Sequence, residues 1–423
     1  MPNPPTFIDL FAGCGGLSLG LLQAGWKGVF AIERSPDAFS SLRHNLVDSS
    51  RFNYDWPEWL PKTDHDIEVF LSDYKKNLTD LRGNVDLIAG GPPCQGFSPA
   101  GKRDPNDPRN RLAEKYIEVV NIVRPKFLLM ENVRGFNSPF SKAVGEEASE
   151  PYSEIVKARL DEIGYEVEFR VIKSSDYGVP QLRPRFILIA HRKDLKIEEP
   201  PFQRLVKRRQ GFLRSRGLPT EKAVTVRQAI CDLEVSGKYM IDATDSTVRG
   251  FKQIDYNSGP AQSSSFIRLM RNEVGRGYVP NSLRLPRHRI EIKERFTTIL
   301  SECARGRSLS SEDRERYGIK KHAITPLDPN RPSATITTLP DDILHYSEPR
   351  ILTAREMARI QSFPDWFTFC GPYTTGGKRR KLTCPRYTQV GNAVPPLLGS
   401  ALAETLKSYI CGSGTATRTT DVA

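Results

Sequence analysis

Short apolar runs alternate with helical stretches over the first 195 residues of the chain. The runs at residues 6–11, 28–33, 84–89, 127–130 and 185–190 predict strands, and the stretches at 17–24 and 36–46 predict helices. Strands that alternate with helices at this spacing predict an α/β fold built on a parallel, doubly wound sheet. In such a sheet a ligand lies beyond the carboxyl ends of the strands, and the chemically unusual residues of this chain follow those ends.

A different pattern begins near residue 200, where strand–helix alternation fades and Arg and Ser become frequent up to about residue 335. Helical patterns return at 354–362 and 395–410, and the second repeats Leu398, Leu402 and Leu406 every four residues along one apolar face. The secondary structure between these two regions cannot be derived from the pattern.

The length of 423 residues exceeds the usual size of one core, so two domains are expected. We place a first domain at 1–196, a smaller basic domain at 197–340, and a return to the first domain at 341–423. No apolar run approaches membrane-spanning length. The N-terminus leads into the first predicted strand without a cleavable leader, so we expect a cytoplasmic protein.

The net charge of +12 is concentrated in one segment. Residues 200–322 hold 25 Lys and Arg against 13 Asp and Glu, whereas the other 300 residues hold 37 of each sign. An excess segregated in this way favours a polyanionic partner such as DNA or RNA, because phosphate contacts supply most of the sequence-independent affinity.

A glycine-rich turn follows the first predicted strand and precedes a helix. Gly13 and Gly15 allow the backbone to turn sharply and to approach a ligand closely, although a tight turn without a ligand would look the same. Glu33, at the end of the second strand, is placed to accept hydrogen bonds from a ribose diol. Asp73 could similarly receive the exocyclic amine of an adenine. Ser18 stands where a nicotinamide dinucleotide fingerprint needs glycine, and no phosphate loop is present, so a nucleoside without phosphates fits best.

Cys94 follows an apolar strand in the sequence Gly-Gly-Pro-Pro-Cys-Gln. Consecutive prolines fix φ and hold the next residue rigidly, which makes this cysteine a candidate nucleophile, with a buried structural thiol as the alternative. A zinc deaminase would need a second cysteine at Phe97. The seven cysteines form no Cys-x-x-Cys pair, so no metal site is expected.

Three further residues complete the candidate chemistry. Glu131 directly follows a buried apolar strand, where a partly desolvated carboxyl group is a candidate proton donor; a helix cap or an ion pair is the alternative. Arg183 and Arg185, two residues apart in an extended segment, would point to one face and could grip a carboxylate, a base carbonyl or a phosphate.

Six segments in this order resemble the DNA (cytosine-5) methyltransferase family of the bacterial restriction-modification type. They are Phe-Ala-Gly-Cys-Gly-Gly at 11–16, Pro-Pro-Cys-Gln at 92–95, Glu-Asn-Val at 131–133, Gln-x-Arg-x-Arg at 181–185, the block at 355–365, and Gln-Val-Gly-Asn-Ala-Val at 389–394. The resemblance covers roughly 1–195 and 335–423.

The resemblance implies a role for each candidate. Cys94 would add to C6 of a cytosine flipped out of duplex DNA, Glu131 would hold N3 and the exocyclic amine, and Arg185, helped by Arg183, would grip the base carbonyl. S-adenosylmethionine would be the cofactor and no metal would take part. Its pocket would be lined by Phe11, Gly13, Gly15, Glu33, Asp73, Tyr74, Pro93, Leu112, Asn392 and Val394. The final helix would return beside the first strand to complete that pocket.

The same resemblance assigns the remaining segments. Residues 99–111, with Lys102, Arg103, Arg109 and Arg111, are similar to the loop that closes over the flipped base, although a plain surface loop is the alternative. The basic segment at 197–340 takes the place of the target-recognition domain. Its candidate phosphate contacts are 204–209, 287–289 and 320–322, each equally consistent with a solvated face.

Two other functions remain open at this point. A tRNA cytosine-5 methyltransferase would use the same chemistry, but the Cys-Phe-Thr sequence of that branch is absent. A catalytically silent DNA-binding protein on the same fold is opposed by the intact Cys94, Glu131 and Arg185. The size of the chain, a catalytic core with one recognition domain, predicts a monomer that works beside a cognate restriction endonuclease.

Overall fold

The computed structural model describes residues 3–52, 54–93, 111–139, 150–258, 263–320, 323–374 and 383–411. The strands are β1 (Thr6–Leu10), β2 (Lys27–Ile32), β3 (Leu87–Gly90), β4 (Phe127–Val133), β5 (Tyr165–Lys173), β6 (Pro184–Arg192), β7 (Met240–Asp242), β8 (Lys252–Ile254), β9 (Thr325–Pro326) and β10 (Ile343–Leu344). The helices are α1 (Gly16–Gln23), α2 (Pro36–Leu42), α3 (Ile67–Asp73), α4 (Lys75–Asp80), α5 (Leu112–Val123), α6 (Tyr152–Glu162), α7 (Pro201–Ser215), α8 (Val226–Ile230), α9 (Ser265–Met270), α10 (Ile290–Glu302), α11 (Ser311–Arg316), α12 (Ala354–Ile360), α13 (Arg386–Asn392) and α14 (Pro396–Cys411).

A six-stranded sheet in the order β2-β1-β3-β4-β6-β5 forms the centre of the molecule. Strands β1 to β4 are parallel, which confirms the α/β fold predicted from the sequence. Strand β6, however, runs antiparallel to both β4 and β5, so the sheet is mixed on this side. The link from β5 to β6 contains only a short 3-10 turn, Ser174–Tyr177, and no crossover helix, so the chain returns in the opposite direction.

Apolar side chains cover both faces of this sheet. Because successive strand residues point to opposite faces, Phe7 of β1 packs in the core that contains α1 and α14, and Ile8 packs in the core that contains α3 to α6. Strand β5 was not predicted, because it lies at the edge and many of its side chains are only partly buried or exposed. Its apolar pattern is correspondingly interrupted by charged residues.

Helix α14 packs directly against α1, and glycine permits the close approach. A Cβ atom on Gly20 would lie 2.6 Å from the backbone nitrogen of Ser400 and 2.7 Å from the backbone oxygen of Pro396. The indole nitrogen of Trp26 donates to the carbonyl oxygen of Ala403 at 3.1 Å. The end of the chain therefore returns beside the helix that follows β1, as the apolar repeat of α14 requires.

The segment between β6 and α12 contains more regular structure than its sequence pattern indicated. Helix α7 is fifteen residues long and contacts α14, and α10 is thirteen residues long with its own small core around Phe296 and Ile299. Two short antiparallel strands, β7 and β8, form a hairpin. Among the residues that the structure describes, no helix is both long and apolar enough to cross a membrane.

Buried ion pairs join this segment to α12. Arg359, fully buried, donates to both carboxylate oxygens of Asp232 and also pairs with Asp365. Arg271 reaches Asp365 at 2.9 Å from another direction. Both arginines come close to one carboxylate, so the position of the 230–271 segment is fixed by charge as well as by apolar packing.

Candidate functional site

Glu131 and Arg185 form an ion pair at the carboxyl edge of the parallel strands. The Nε atom of Arg185 lies 2.7 Å from Oε1 of Glu131, and both side chains are about nine-tenths buried. Antiparallel pairing brings them together, because the start of β6 lies beside the end of β4, with Arg185 opposite Val133 in the register. A buried carboxylate fixed by one guanidinium can hold a polar ligand in a defined orientation.

The segment that leads to Cys94 lies next to this pair. The side-chain amide of Asn132 donates to the carbonyl oxygen of Pro92 at 3.0 Å, and a Cβ atom on Gly91 would lie 3.5 Å from Oε2 of Glu131. Cys94 itself lies outside the described residues, as do Lys102, Arg103 and Arg109 of the 99–111 loop. Arg111, the last residue of that loop, is exposed immediately before α5.

Arg183 has different partners from Arg185, although the two are only two residues apart. Its guanidinium is buried and donates to the carbonyl oxygens of Ile336 at 2.8 Å, Gly391 at 2.7 Å and Ala393 at 3.3 Å. Burial lowers the pKa of this guanidinium, and the neighbouring charge of Arg185 lowers it further. Arg183 therefore ties the start of β6 to the end of α13.

The glycine-rich turn after β1 has the backbone of a ligand-binding turn. Phe11 has a φ of 60°, which a residue with a bulky side chain rarely adopts. A Cβ atom on Gly13 would have no heavy atom within 4 Å, so open space adjoins the turn. Glu33 accepts hydrogen bonds from the backbone nitrogens of Gly13 at 2.9 Å and Ser35 at 2.7 Å, and burial raises the pKa of its carboxyl group.

The last part of the chain reaches the same turn. A Cβ atom on Gly16 would lie 2.3 Å from the carbonyl oxygen of Val394, so only glycine permits this approach. Gly15, with a φ of 91°, precedes α1. Asn392 is exposed at the end of α13. Residues almost 380 positions apart in sequence thus meet at one turn.

Three of the predicted pocket residues lie on the face of the sheet covered by α3 to α6. Phe11, Tyr74 and Leu112 are partly buried and pack against the same core. Tyr74 follows the end of α3, with its ring centroid 5.5 Å from that of Trp59, and Asp73 ends that helix as an exposed residue. Pro93 is also exposed.

Two features of the site were missed from the sequence. One is Asn132, which holds the proline segment; its position directly after Glu131 could have indicated it. The other is a buried polar group beneath the turn, where Ser18 donates to Asp9 at 2.6 Å and lies 2.9 Å from the hydroxyl of Tyr54. Burial raises the pKa of Asp9 to about 7. The signal in the sequence was Asp9 itself, an acidic residue inside an otherwise apolar strand.

Comparison with known proteins agrees with this geometry. The family model described as C-5 cytosine-specific DNA methylase matches residues 5–408. The chain is 32% identical over 414 residues to the type II methyltransferase M.DdeI of Desulfomicrobium norvegicum, which covers 96% of this chain and 89% of that protein. It is 29% identical over 402 residues to the type II methyltransferase M1.HphI of Haemophilus parahaemolyticus, with 94% and 86% covered.

A solved structure has the same fold. It is a protein encoded within a prophage of E. coli and assigned as a DNA modification methyltransferase. Its TM-score is 0.63 at 23% identity, and the match covers 96% of this chain and 99% of that one.

Proposed function

The chain belongs to the C-5 cytosine-specific DNA methylase family and is a DNA (cytosine-5) methyltransferase, and we propose that it methylates a cytosine rotated out of a specific duplex site. The observation that carries this proposal is the buried pair of Glu131 and Arg185, 2.7 Å apart, beside the proline segment that leads to Cys94. A base stacked in a duplex cannot reach groups set at a strand end, so it is flipped out, which costs a few kcal/mol.

The catalytic roles follow from the chemistry of cytosine. The thiolate of Cys94 forms a bond to C6, which moves electron density onto C5, a carbon that is otherwise a poor nucleophile. Glu131 holds the exocyclic amine and favours protonation at N3 during that addition. Arg185 orients Glu131 and grips the base carbonyl, and Arg183 supports it by fixing β6 against the end of α13. After methylation, loss of the C5 proton and expulsion of Cys94 restore the aromatic ring.

S-adenosylmethionine supplies the methyl group when bound. We propose that its pocket is lined by Phe11, Gly13, Gly15, Glu33, Asp73, Tyr74, Pro93, Leu112, Asn392 and Val394. The open space beside Gly13 supports this pocket, as does the left-handed backbone of Phe11. Carboxylate oxygens accept more than one hydrogen bond each, so Glu33 can hold the turn and still accept from ribose hydroxyls.

The remaining parts serve the nucleic acid. Residues 1–196 and 341–423 form the catalytic domain, 197–340 form the target-recognition domain, and the 99–111 loop closes over the flipped base. The excess of positive charge within 200–322 supports contact with DNA phosphates. Because M.DdeI and M1.HphI are type II methyltransferases, we propose that this protein, as a cytoplasmic monomer, protects DNA from a cognate restriction endonuclease.

A mechanism-based trap tests the proposal. Duplex DNA that contains the target site with 5-fluorocytosine, given S-adenosylmethionine, is expected to become covalently attached to the protein, and Cys94→Ala is expected to abolish the adduct. The adducted peptide, identified by mass spectrometry, should contain residue 94. Trapping that persists in the variant would refute the assignment of Cys94 as the nucleophile. Transfer of labelled methyl to tRNA instead of duplex DNA would refute the assignment of DNA as the substrate.

A further inference from the structure

The hairpin of residues 239–254 exposes an unusual amount of apolar surface. Tyr239 is 77% exposed, Met240 40%, Ile241 38% and Val248 56%. The inner strand, β8, is buried at Gln253 and Ile254, whereas the outer strand, β7, is exposed along its whole length. The hairpin is therefore a two-stranded ribbon with one anchored strand and one free strand.

The loop of this hairpin is held rigidly by Asp245. Its carboxylate accepts hydrogen bonds from the hydroxyl of Tyr373 at 2.5 Å, the backbone nitrogen of Ser282 at 2.8 Å and the guanidinium of Arg386 at 2.5 Å. The pKa of Asp245 is lowered by these hydrogen bonds and by the charge of Arg386, although burial opposes the shift. Three partners on separate segments leave the loop little freedom.

A stack of arginines and aromatic rings reinforces the same anchor. The guanidinium of Arg284 lies 4.1 Å from the ring centroid of Phe251 and 3.9 Å from that of Tyr373. The guanidinium of Arg386 lies 4.3 Å from the ring centroid of Tyr373. Since Phe251 lies at the end of the hairpin loop, this stack fixes the loop against α13.

The anchor lies close to the catalytic edge. Arg386 is the first residue of α13, a helix of seven residues, and so about 10 Å long. At the other end of α13 the carbonyl of Gly391 accepts from Arg183, two residues before Arg185. The hairpin loop is thus separated from the Glu131–Arg185 pair by one short, rigid element.

Charged side chains border the exposed apolar residues: Asp242 of β7 is paired with Lys252 at 2.8 Å, and two exposed arginines add positive charge. Arg249 is exposed in the hairpin loop, and Arg287, also exposed, lies beside that loop with Nη1 3.5 Å from the Cβ position of Gly250. The hairpin belongs to the 200–322 segment that holds the whole positive excess of the chain. This charge is complementary to a polyanion, which favours DNA over a second protein copy as the occupant.

We propose that this hairpin enters the major groove beside the flipped cytosine and reads the base sequence there. The major groove admits a two-stranded ribbon, and apolar side chains distinguish thymine through its methyl group. Tyr239 and Ile241, which share one face of the ribbon, contact base edges together with Val248 of the loop, and Arg249 and Arg287 contact the flanking phosphates. This inference rests on the proposed function, because it assigns the specificity of the same reaction.

Single variants at the exposed positions test the assignment. Tyr239→Ala, Met240→Ala, Ile241→Ala and Val248→Ala would each be compared with Ile155→Ala, which removes a similarly exposed apolar side chain from α6. Each protein would methylate a library of duplexes with randomised sequence around the cytosine, followed by bisulfite sequencing. At least one hairpin variant is expected to lose about tenfold or more of its discrimination at one or two base pairs, and the control should match the wild type.

The outcomes separate this inference from the proposed function. A wild-type protein that methylates no cytosine in DNA refutes the proposed function, whereas a wild-type specificity retained by every hairpin variant refutes only the hairpin assignment. A variant without activity is tested by competition between the target duplex and duplexes with one base pair changed; an unchanged preference also refutes the assignment. The assignment is also refuted if the variants change the apparent mass of the protein in gel filtration while its discrimination between base pairs stays as in the wild type.

Discussion

Glu131 owes its position to two neighbours that come from different parts of the chain. Arg185 pairs with its carboxylate from β6, and Asn132 holds the proline segment beside it. Removal of one partner from a buried ion pair leaves the other charge uncompensated, which destabilises the fold as well as the function. A variant that tests catalysis must therefore keep the shape of the side chain.

Glu131→Gln keeps the shape of the side chain but removes its charge, so the unfolding free energy of the variant is measured alongside its activity. We expect the single-turnover methylation rate to fall by about 100-fold or more, because the amide cannot transfer a proton to N3, while the KM for DNA changes much less. Glu118→Gln, an exposed change on α5, is the control. A rate within about threefold of wild type would show that Glu131 does not act in proton transfer.

Asp9 makes stability depend on pH in an unusual direction. Burial raises its pKa in the folded protein to about 7, compared with an ordinary value of 3.8, so the folded protein keeps a proton that the unfolded chain releases. Stability is therefore highest below the ordinary value and falls as the pH rises towards about 7, by up to about 1.4 kcal/mol per pH unit. Above that pH both states have lost the proton and the contribution is constant.

Asp9→Asn should remove this dependence. Urea unfolding at several pH values between about 4 and 8 would give the difference in unfolding free energy between wild type and variant. We expect the wild type to lose stability relative to the variant as the pH rises, and to level off near pH 7. A difference that stays constant over this range would mean that Asp9 is ionised in the folded protein.

At the scale of elements, the contact between α1 and α14 depends on a glycine. Gly20→Ala would place a methyl group within 3 Å of the α14 backbone, and backbone atoms cannot move aside as a flexible side chain can. We expect a loss of about 1–3 kcal/mol, or more, in unfolding free energy. Gly211→Ala in α7 is the matched control, since its Cβ position is open and alanine favours a helix. Equal stability of the two variants would mean that the helices separate readily.

Some of these elements can be predicted from the sequence pattern and others cannot. Strands β1 to β4 and helix α14 were recognisable because burial on both faces produces long apolar runs or a four-residue repeat. The direction of β6 was not recognisable. It depends on the length of the connection from β5 and leaves no mark in the spacing of apolar residues.

The candidate site follows the same division. Glu33 and Glu131 were recognisable because each comes at the end of an apolar run in the sequence, but the separate partners of Arg183 and Arg185 arise from tertiary contacts. Arg204 and Arg209, predicted as candidate phosphate contacts, also have partners within the protein. Arg204 lies 3.7 Å from the ring centroid of Tyr409, and Arg209 donates to the carbonyl oxygen of Asp176 at 2.7 Å.

At the scale of the whole molecule, the basic segment is joined to the catalytic sheet through charge and apolar packing together. Apolar residues from both regions, such as Phe7 and Phe266, belong to one continuous core, and Arg359 pairs with Asp232 across it. If this segment recognises DNA as proposed, a surface fixed in this way would place the duplex without a large rearrangement between domains. On the same proposal, the basic charge of this segment would govern how the duplex is first captured.

The salt dependence of DNA binding should reveal which charges contact phosphates. Each phosphate contact adds about 0.9 to the slope of log affinity against log salt concentration, so Arg287→Gln and Arg289→Gln, both exposed, should each lower the slope by about 1. Arg159→Gln on α6 removes the same charge outside the basic segment and should leave the slope unchanged. Binding would be followed by fluorescence anisotropy across a salt series. If all three variants changed the slope equally, net charge and not position would control capture, and the basic segment would lose its assigned role.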